Sequence, residues 1–380
     1  MSETQHSEEH SPTYLFAGGG TGGHLTPGLA VAARLRVEVP RCRIVFVGSD
    51  RPLEQQILQR HGVEQIALGA ESSQGALRHP LRFLWRNWRA YRQAVRLLPE
   101  VRPDVVIGLG GFASVPLVYA ACRRGYRTLL LEQNTIPGRA NRLLSRWADH
   151  ACLAFPESAR WLATRCPTSV TGNPVREEIA ALALSQRHPA DLTGKSNSLL
   201  ILGGSQGASG LNDAVRRMVQ GSPEQWRDVR IVHQTGAADC PSMRETYARL
   251  GLSAVVEPFF HEMGPLYQQT TLAISRAGAT TLAELACAGI PAVLVPYPHA
   301  ARRHQLHNAE HYCRAGAALL VNQKDDPAQT AQELARTVRD VLSNPGRHSA
   351  LGQAMRGEAH PAAAEEVVRV LQSLSPRPIT

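Results

Sequence analysis

His24 closes a glycine run, LFAGGGTGGH (15–24), in which Gly18, Gly20 and Gly23 fit the spacing G-x-G-x-x-G. A turn of this kind between a strand and a helix exposes backbone N–H groups and the positive end of the helix dipole. Both favour a phosphate. Glycine lets the backbone come close to such a ligand. The same dipole disfavours an imidazolium, so a histidine at this point stays neutral. It then suits general-base work, or it only hydrogen-bonds the loop. A second loop, GGSQGASG (203–210), repeats the chemistry. Neither loop ends in Gly-Lys-Ser/Thr, which excludes a kinase-type P-loop at both places. A dinucleotide reading of the first loop stays open, with Asp50 as a ribose-binding acid, but it explains nothing about the second loop.

The segment SRAGATTLAELACAG (275–289) is a third loop-to-helix start. Thr280 and Thr281 can cap the helix. Glu284 either accepts the two hydroxyls of a ribose or is a capping acid. In HAARRHQLHNAEH (299–311), His304, His307 and His311 share a helical face, as metal ligands or as ordinary polar residues. Gln305 and Asn308 read better as amide donors to a ligand. The chain has no D-x-D pair for a metal at a diphosphate.

The stretch LRHPLRFLWRNWRAYRQAVRLL (77–98) carries six arginines among leucines and aromatics, with no acid between Glu71 and Glu100. A basic amphipathic helix with tryptophans fits an anionic membrane surface. A nucleic-acid patch has similar charge, and so has a solvated basic helix with its aromatic side in a core.

The elements that must position these residues alternate. Short apolar strands are expected at 14–17, 43–47, 104–107, 128–131, 150–154 and 169–170, with helices between them, the first over 27–35. The pattern restarts at SLLIL (198–202) and continues at 230–234, 254–257, 272–275 and 292–295. This is α/β architecture with parallel sheets, built in two similar halves that join near 174–196. A last helix is expected over 362–374.

A length of 380 residues fits about two domains. The charge of +9 points to an acidic partner: nucleic acid, anionic lipid or a phosphorylated small molecule. Seven scattered cysteines without C-x-x-C read as reduced thiols in a cytosolic setting. No apolar run reaches the roughly 20 residues of a membrane span. The polar segment MSETQHSEEHSP reads as a disordered tail and not as a signal peptide.

Taken in order, GGGTGGHLTPGLAVA (18–32), GLGGFASVP (108–116), LEQNTIPGRANRLL (131–144), TGNPVR (171–176), GGSQGASGLN (203–212), HQTG (233–236), SRAGATTLAELACAGIPAVLVPYPHA (275–300) and HQLHNA (304–309) closely resemble the MurG family. These are the undecaprenyl-diphosphate-MurNAc-pentapeptide N-acetylglucosaminyltransferases of bacterial cell-wall synthesis, in glycosyltransferase family 28. The resemblance runs from about Tyr14 to Val370.

It implies a GT-B fold, two Rossmann-like parallel-sheet domains facing across a cleft. A tail would cover 1–12 and an acceptor- and membrane-side domain 13–176. A UDP-GlcNAc domain would cover 177–358, and a helix packing back on the first domain 359–376. The donor site implied is Thr21, Gly22, Gly23, Asn134 and Arg176 from the first domain. From the second it is Ser205 at the diphosphate, Phe260 by the uracil, Ala279, Thr280, Thr281, Leu282, Ala283 and Glu284, and Gln305 near the sugar. Gly19, Gly20, Thr21 and Gly22 would hold the acceptor diphosphate, and His24 would be the catalytic base. Leu81, Arg82, Leu84, Trp85, Arg86, Trp88 and Arg89 would face the membrane.

The resemblance implies an inverting, metal-independent enzyme with no cofactor and no nucleic-acid partner, peripheral on the cytoplasmic face of the plasma membrane, with other cell-wall synthesis proteins as partners. Two positions depart from the family pattern. Arg302 and Arg303 stand where relatives often carry an acid, and Phe260 stands where they often carry a smaller aliphatic residue. Competing expectations are a GT-B transferase for another lipid acceptor such as diacylglycerol, an NAD-dependent oxidoreductase, and a non-catalytic membrane-binding module.

Overall fold

The computed structural model describes residues 11–19, 22–48, 52–68, 80–185, 197–204 and 207–375. Gly20, Thr21, Asp50, Ser205, the segment 1–10 and residues 186–196 of the expected joint at 174–196 therefore lie outside the described residues.

The first half runs β1 (Thr13–Gly18), α1 (Gly22–Glu38), β2 (Arg43–Gly48), α2 (Pro52–Arg60), β3 (Glu64–Ala67), α3 (Pro80–Val101), β4 (Val105–Gly110), α4 (Ser114–Arg123), β5 (Arg127–Glu132), α5 (Arg139–Leu144), β6 (His150–Leu153), β7 (Thr168–Val170) and α6 (Glu177–Ala180). The second runs β8 (Ser198–Leu202), α7 (Ser209–Gly221), β9 (Arg230–Gln234), α8 (Cys240–Arg249), β10 (Ala254–Glu257), α9 (Met263–Gln269), β11 (Leu272–Ser275), α10 (Ala279–Ala288), β12 (Ala292–Leu294), α11 (His304–Arg314), β13 (Ala318–Leu320), α12 (Pro327–Leu342), α13 (Pro345–Gly357) and α14 (Ala363–Leu374).

The sheets have orders β3-β2-β1-β4-β5-β6-β7 and β10-β9-β8-β11-β12-β13, and neighbouring strands pair in parallel. Each is a doubly wound sheet whose order reverses between its first and fourth strands. Ligands of such sheets bind outside the carboxyl ends of the strands at that reversal. Helices cover both faces, so the central strands are apolar throughout, as in SLLIL of β8. Two apolar clusters sandwich each sheet. The short strands β3 and β13, at the sheet edges, were not expected from the sequence.

The chain crosses between the sheets. Val175, Ile179 and Leu182 pack with the second sheet, whereas Val367, Val368 and Leu371 of α14 are buried against α1 and the first sheet. Fully burying such a side chain is worth about 1.5–3 kcal/mol. Arg34 of α1 also pairs with Glu365 of α14 at 3.1 Å. Gly172, at φ +78°, lies so close to His360 that a Cβ there would overlap the imidazole, so the strands of crossing chain need a glycine at this point.

A buried amide ties the halves together. Asn308 of α11 donates through Nδ2 to Asn134 Oδ1 (3.1 Å) and the Ala277 carbonyl (3.2 Å). Its Oδ1 accepts from the Thr135 backbone N–H and hydroxyl, both at 3.0 Å. All its hydrogen-bonding capacity is used, three of the four bonds crossing between the halves. Asn308→Ala is expected to cost about 2–4 kcal/mol, because it strands buried donors and acceptors on both sides. Thermal unfolding of the variant beside the parent checks this.

Candidate active site

Both glycine loops sit at the reversal points of their sheets. β1 runs into Gly19 and then α1, whose first turn holds Gly23 and His24. The loop after β4 lies alongside, with Gly110 at φ +90° and Gly111 at φ +75°. A Cβ on Gly110 would stand 3.3 Å from His24 Cδ2 and 3.6 Å from Asn141 Nδ2. Gly110 thus gives the imidazole its seat. His24 keeps part of its surface open, yet its pKa is pushed down to about 4, first by burial and then by His304. It is a neutral imidazole at a helix N-terminus. Beneath the loop, the buried carboxylate of Glu54 fills the space that side chains on Gly19 and Gly48 would need. Only the tertiary fold reveals that role.

α1 contains Pro27, which has no N–H to give the carbonyl four residues earlier. That carbonyl belongs to Gly23. It accepts instead from Thr280 Oγ1, at 3.0 Å, across the cleft. Thr280 lies in the first turn of α10. The N-terminal ends of α1 and α10, one from each half, therefore meet, and both present positive dipole ends to the space between them.

In the second half, β8 leads through Gly203, Gly204 and Gly207 into α7. Gln234 donates to the Gly204 carbonyl (3.1 Å) and accepts from the Phe260 N–H (3.0 Å), tying the glycine loop to Phe260. Below it, His233 contacts the Tyr247 hydroxyl (2.9 Å) and Asn212 Oδ1 (3.1 Å). Burial holds its pKa down at about 3. Asn212 also donates to Asp239 at 2.7 Å. These HQTG contacts were not read from the sequence, because the partners lie far apart along the chain.

Glu284 is 7% exposed and makes no capping bond, so the capping reading fails. Its Oε2 accepts from the Tyr267 hydroxyl at 2.8 Å and its Oε1 from Arg176 Nη2 at 3.3 Å. Burial raises its pKa against the opposing pull of Arg176 and Tyr267. Each carboxylate oxygen keeps a lone pair for a further donor. Arg176 also donates to the His261 carbonyl at 3.1 Å. Ala279 and Leu282 pack into the apolar core, so their side chains face away from the cleft. Thr281 and Ala283 flank Leu282 on the same helix and are only partly buried, Ala283 against the same core. Gln305 accepts from the Tyr297 N–H at 2.9 Å and lies on α11 with Asn308, which holds Asn134.

Two further residues were missed. Glu132 is buried and accepts from the Asn134 N–H (2.9 Å), the Gly138 N–H (3.1 Å) and Asn141 (2.9 Å), and so shapes the loop that carries Asn134. Arg276 is buried with its pKa lowered to about 10 by desolvation, and donates to the Val295 carbonyl and Gln323, both at 2.9 Å. It fixes the rim loop after β12.

The three histidines of α11 go to separate partners. His304 contacts the Ala301 carbonyl, His307 contacts Glu310, and His311 bridges Glu157 and Glu358. Among the described residues, no three potential ligands converge on a metal position.

On α3, Leu81, Leu84, Trp85 and Trp88 are 81, 63, 56 and 56% exposed, whereas Ala90, Ala94 and Leu98 are buried. Trp85 and Trp88 therefore do not pack in the core, whereas Tyr91 lies against it. Arg82, Arg86 and Arg89 are exposed beside it, and Arg89 and Arg92 lie over the Trp85 and Trp88 rings. No helix among the described residues is long and apolar enough to cross a membrane.

The comparisons agree with this architecture. Residues 14–153 match the glycosyltransferase family 28 N-terminal domain and residues 198–367 its C-terminal domain. A UDP-N-acetylglucosamine--N-acetylmuramyl-(pentapeptide) pyrophosphoryl-undecaprenol N-acetylglucosamine transferase of Syntrophotalea carbinolica is 40% identical, over 95% of this chain and 98% of its own. The protein of that name from Desulfotalea psychrophila is 38% identical, over 95% and 96%. The crystal structure of Acinetobacter baumannii MurG superposes with a TM-score of 0.74 at 29% identity, covering 95% of this chain and 99% of that one. The fold is GT-B, and the chain belongs to glycosyltransferase family 28.

Proposed function

We propose that this enzyme moves GlcNAc from UDP-GlcNAc to the C4 hydroxyl of undecaprenyl-diphospho-MurNAc-pentapeptide, with inversion at the anomeric carbon. The observation that carries the reading is the meeting of two helix N-termini at the Thr280–Gly23 hydrogen bond, with His24 on one helix and Glu284 on the other. Two facing positive dipole ends suit two diphosphates, one on the acceptor and one on the donor.

His24 takes the proton of the C4 hydroxyl as that oxygen attacks the anomeric carbon from the face opposite UDP. The bond from that carbon to the UDP oxygen breaks, and an α-linked donor gives a β-linked product. The departing diphosphate meets the N–H groups of α10 and the second glycine loop, with Arg176 and Ser205 beside them. Glu284 accepts the ribose hydroxyls, Phe260 lies by the uracil, and Gln305 and Asn134 approach the sugar. Thr21, Gly22 and Gly23 complete the donor site. The loop from Gly19 to Gly22 holds the acceptor diphosphate, whose negative charge raises the His24 pKa towards the working range of a base.

The test is UDP release from UDP-GlcNAc with a short-chain lipid-linked MurNAc-pentapeptide, in EDTA. Acceptor-dependent release is expected. Loss of release in EDTA, with recovery on magnesium, would keep the transferase and discard leaving-group stabilisation by fixed N–H donors. No release in either, with UDP still bound, would assign another acceptor.

The exposed face of α3 carries this enzyme onto the cytoplasmic face of the plasma membrane, where its acceptor lies. Tryptophan rings enter the interface while the arginines meet anionic headgroups. Co-sedimentation with anionic liposomes is expected to fall with salt, and to fall roughly tenfold or more in a Trp85→Ala/Trp88→Ala variant. Binding that ignores both salt and the substitutions would remove α3 as the contact.

A further inference from the structure

Beside the cleft lies a cavity of about 360 Å³ with four arginines in its wall: Arg139, Arg142, Arg146 and Arg302. The first three come from α5 and the turn after it, spaced to share one helix face. Trp161 forms the apolar wall, with the Arg142 guanidinium 5.1 Å from its ring centre. Arg302 reaches in from the second half. Among the described residues, none of these four guanidiniums pairs with a carboxylate or donates a hydrogen bond. Arg142 Nη1 and Trp161 Nε1 are both buried without a hydrogen-bond partner. The loop that delivers Arg302 holds Arg302 and Arg303 at φ +54° and +56°, a conformation that costs free energy in residues other than glycine. Four like charges, one of them delivered by that strained loop, and two unmatched donors suit a planar anion.

We infer that this cavity seats the terminal carboxylate of the acceptor's peptide stem, which rests on the acceptor reading above. The opposite side of α5 carries Asn141, which borders Gly110 together with His24, so the cavity is one helix away from the reacting group. It is complete only when both halves contribute, as the proposed donor site also requires. A bilayer headgroup is the less suited occupant. The exposed apolar side chains of α3 lie beyond α4, where Tyr119 stands between Tyr91 and Trp147 with ring centres 5.9 and 5.1 Å away.

The test uses two short-chain acceptors that differ only in ending as a carboxylate or a carboxamide, assayed in neutral detergent. The parent enzyme is expected to show a KM roughly tenfold lower for the carboxylate. Arg139→Ala and Arg302→Ala, both at exposed positions, are expected to erase that difference while leaving the carboxamide KM and the UDP-GlcNAc KM unchanged. Equal use of both acceptors by the parent would overturn the inference. So would a loss that is the same for both acceptors and appears only when anionic lipid is added, which would assign a headgroup site. Turnover of neither acceptor would instead remove the acceptor reading. The cavity is then judged by binding of the lipid-free pentapeptide, followed by fluorescence with a Trp161→Phe control. Binding of the free acid that Arg302→Ala abolishes supports the site, and equal binding of acid and amide, or none, overturns it.

Discussion

His24→Ala is expected to lower kcat by about 10²–10⁴-fold, the usual worth of a positioned general base, with UDP-GlcNAc affinity little changed. The affinity is spared if the donor site rests, as proposed, chiefly on the second half, around Glu284 and the glycine loop after β8. His24→Gln separates two roles. Glutamine keeps a hydrogen-bonding group near Gly110 but cannot take a proton. If His24 only positions a diphosphate, His24→Gln retains most of the turnover, and the base assignment fails. The pH profile gives a second check. Burial holds the free-enzyme pKa at about 4, so kcat/KM should lose activity on the acid side near pH 4 and not near the ordinary histidine value of 6.5. With acceptor bound, the limb in kcat should lie higher, because a nearby diphosphate favours the imidazolium. Stability supplies a third. The folded pKa lies below the unfolded one, so between 6.5 and about 4 the unfolded chain binds the extra proton and the folded state loses stability as pH falls. His24→Ala should therefore soften the acid sensitivity of Tm in that window.

What could be read from the sequence follows from what is local. β8 and β11 are near-continuous apolar runs because they lie at the centre of a sheet covered on both faces, and such runs show their bounds plainly. β3, with sequence EQIA, is short, half-exposed and at an edge, so it carries no such pattern. The glycine loops, His24 and Glu284 announce themselves through residue type and position at a helix start. Their partners do not. Asn308 meets Thr135 from 173 residues away, and Arg176 meets Glu284 from 108. A sequence can show that Glu284 sits early in a helix, but not that Tyr267 and Arg176 turn its carboxylate away from the cap. On α3 the sequence left membrane, nucleic acid and core packing open. The exposure of Trp85 and Trp88, with Ala94 and Leu98 buried behind them, removes the core reading for the tryptophans and leaves it for Tyr91. Arg302 shows the limit most clearly. Its charge is visible in the sequence, yet its delivery into a cavity of the other half depends on the turn at 301–303.

Glu284→Gln should raise the KM for UDP-GlcNAc about 10–100-fold, the worth of one or two hydrogen bonds to a charged acceptor, while leaving the fold intact. The carboxylate is buried, and Arg176 and Tyr267 offset its desolvation only in part, which is why its pKa is raised. The sign of the linkage follows. With the folded pKa above the unfolded one, the folded state holds the proton more tightly, so stability falls as pH rises through that window. The ionised group is a net cost to the fold. Glutamine removes the charge, keeps an oxygen for the Tyr267 hydroxyl, and leaves Arg176 its bond to the His261 carbonyl. Tm at pH 7 should therefore hold or rise slightly as donor affinity falls. A donor analogue lacking the ribose 2′-hydroxyl locates the loss: the parent enzyme should discriminate against it, and Glu284→Gln should not. An unchanged KM with a Tm several degrees lower would instead make Glu284 a structural anchor for Arg176, and would leave the ribose to another residue of α10.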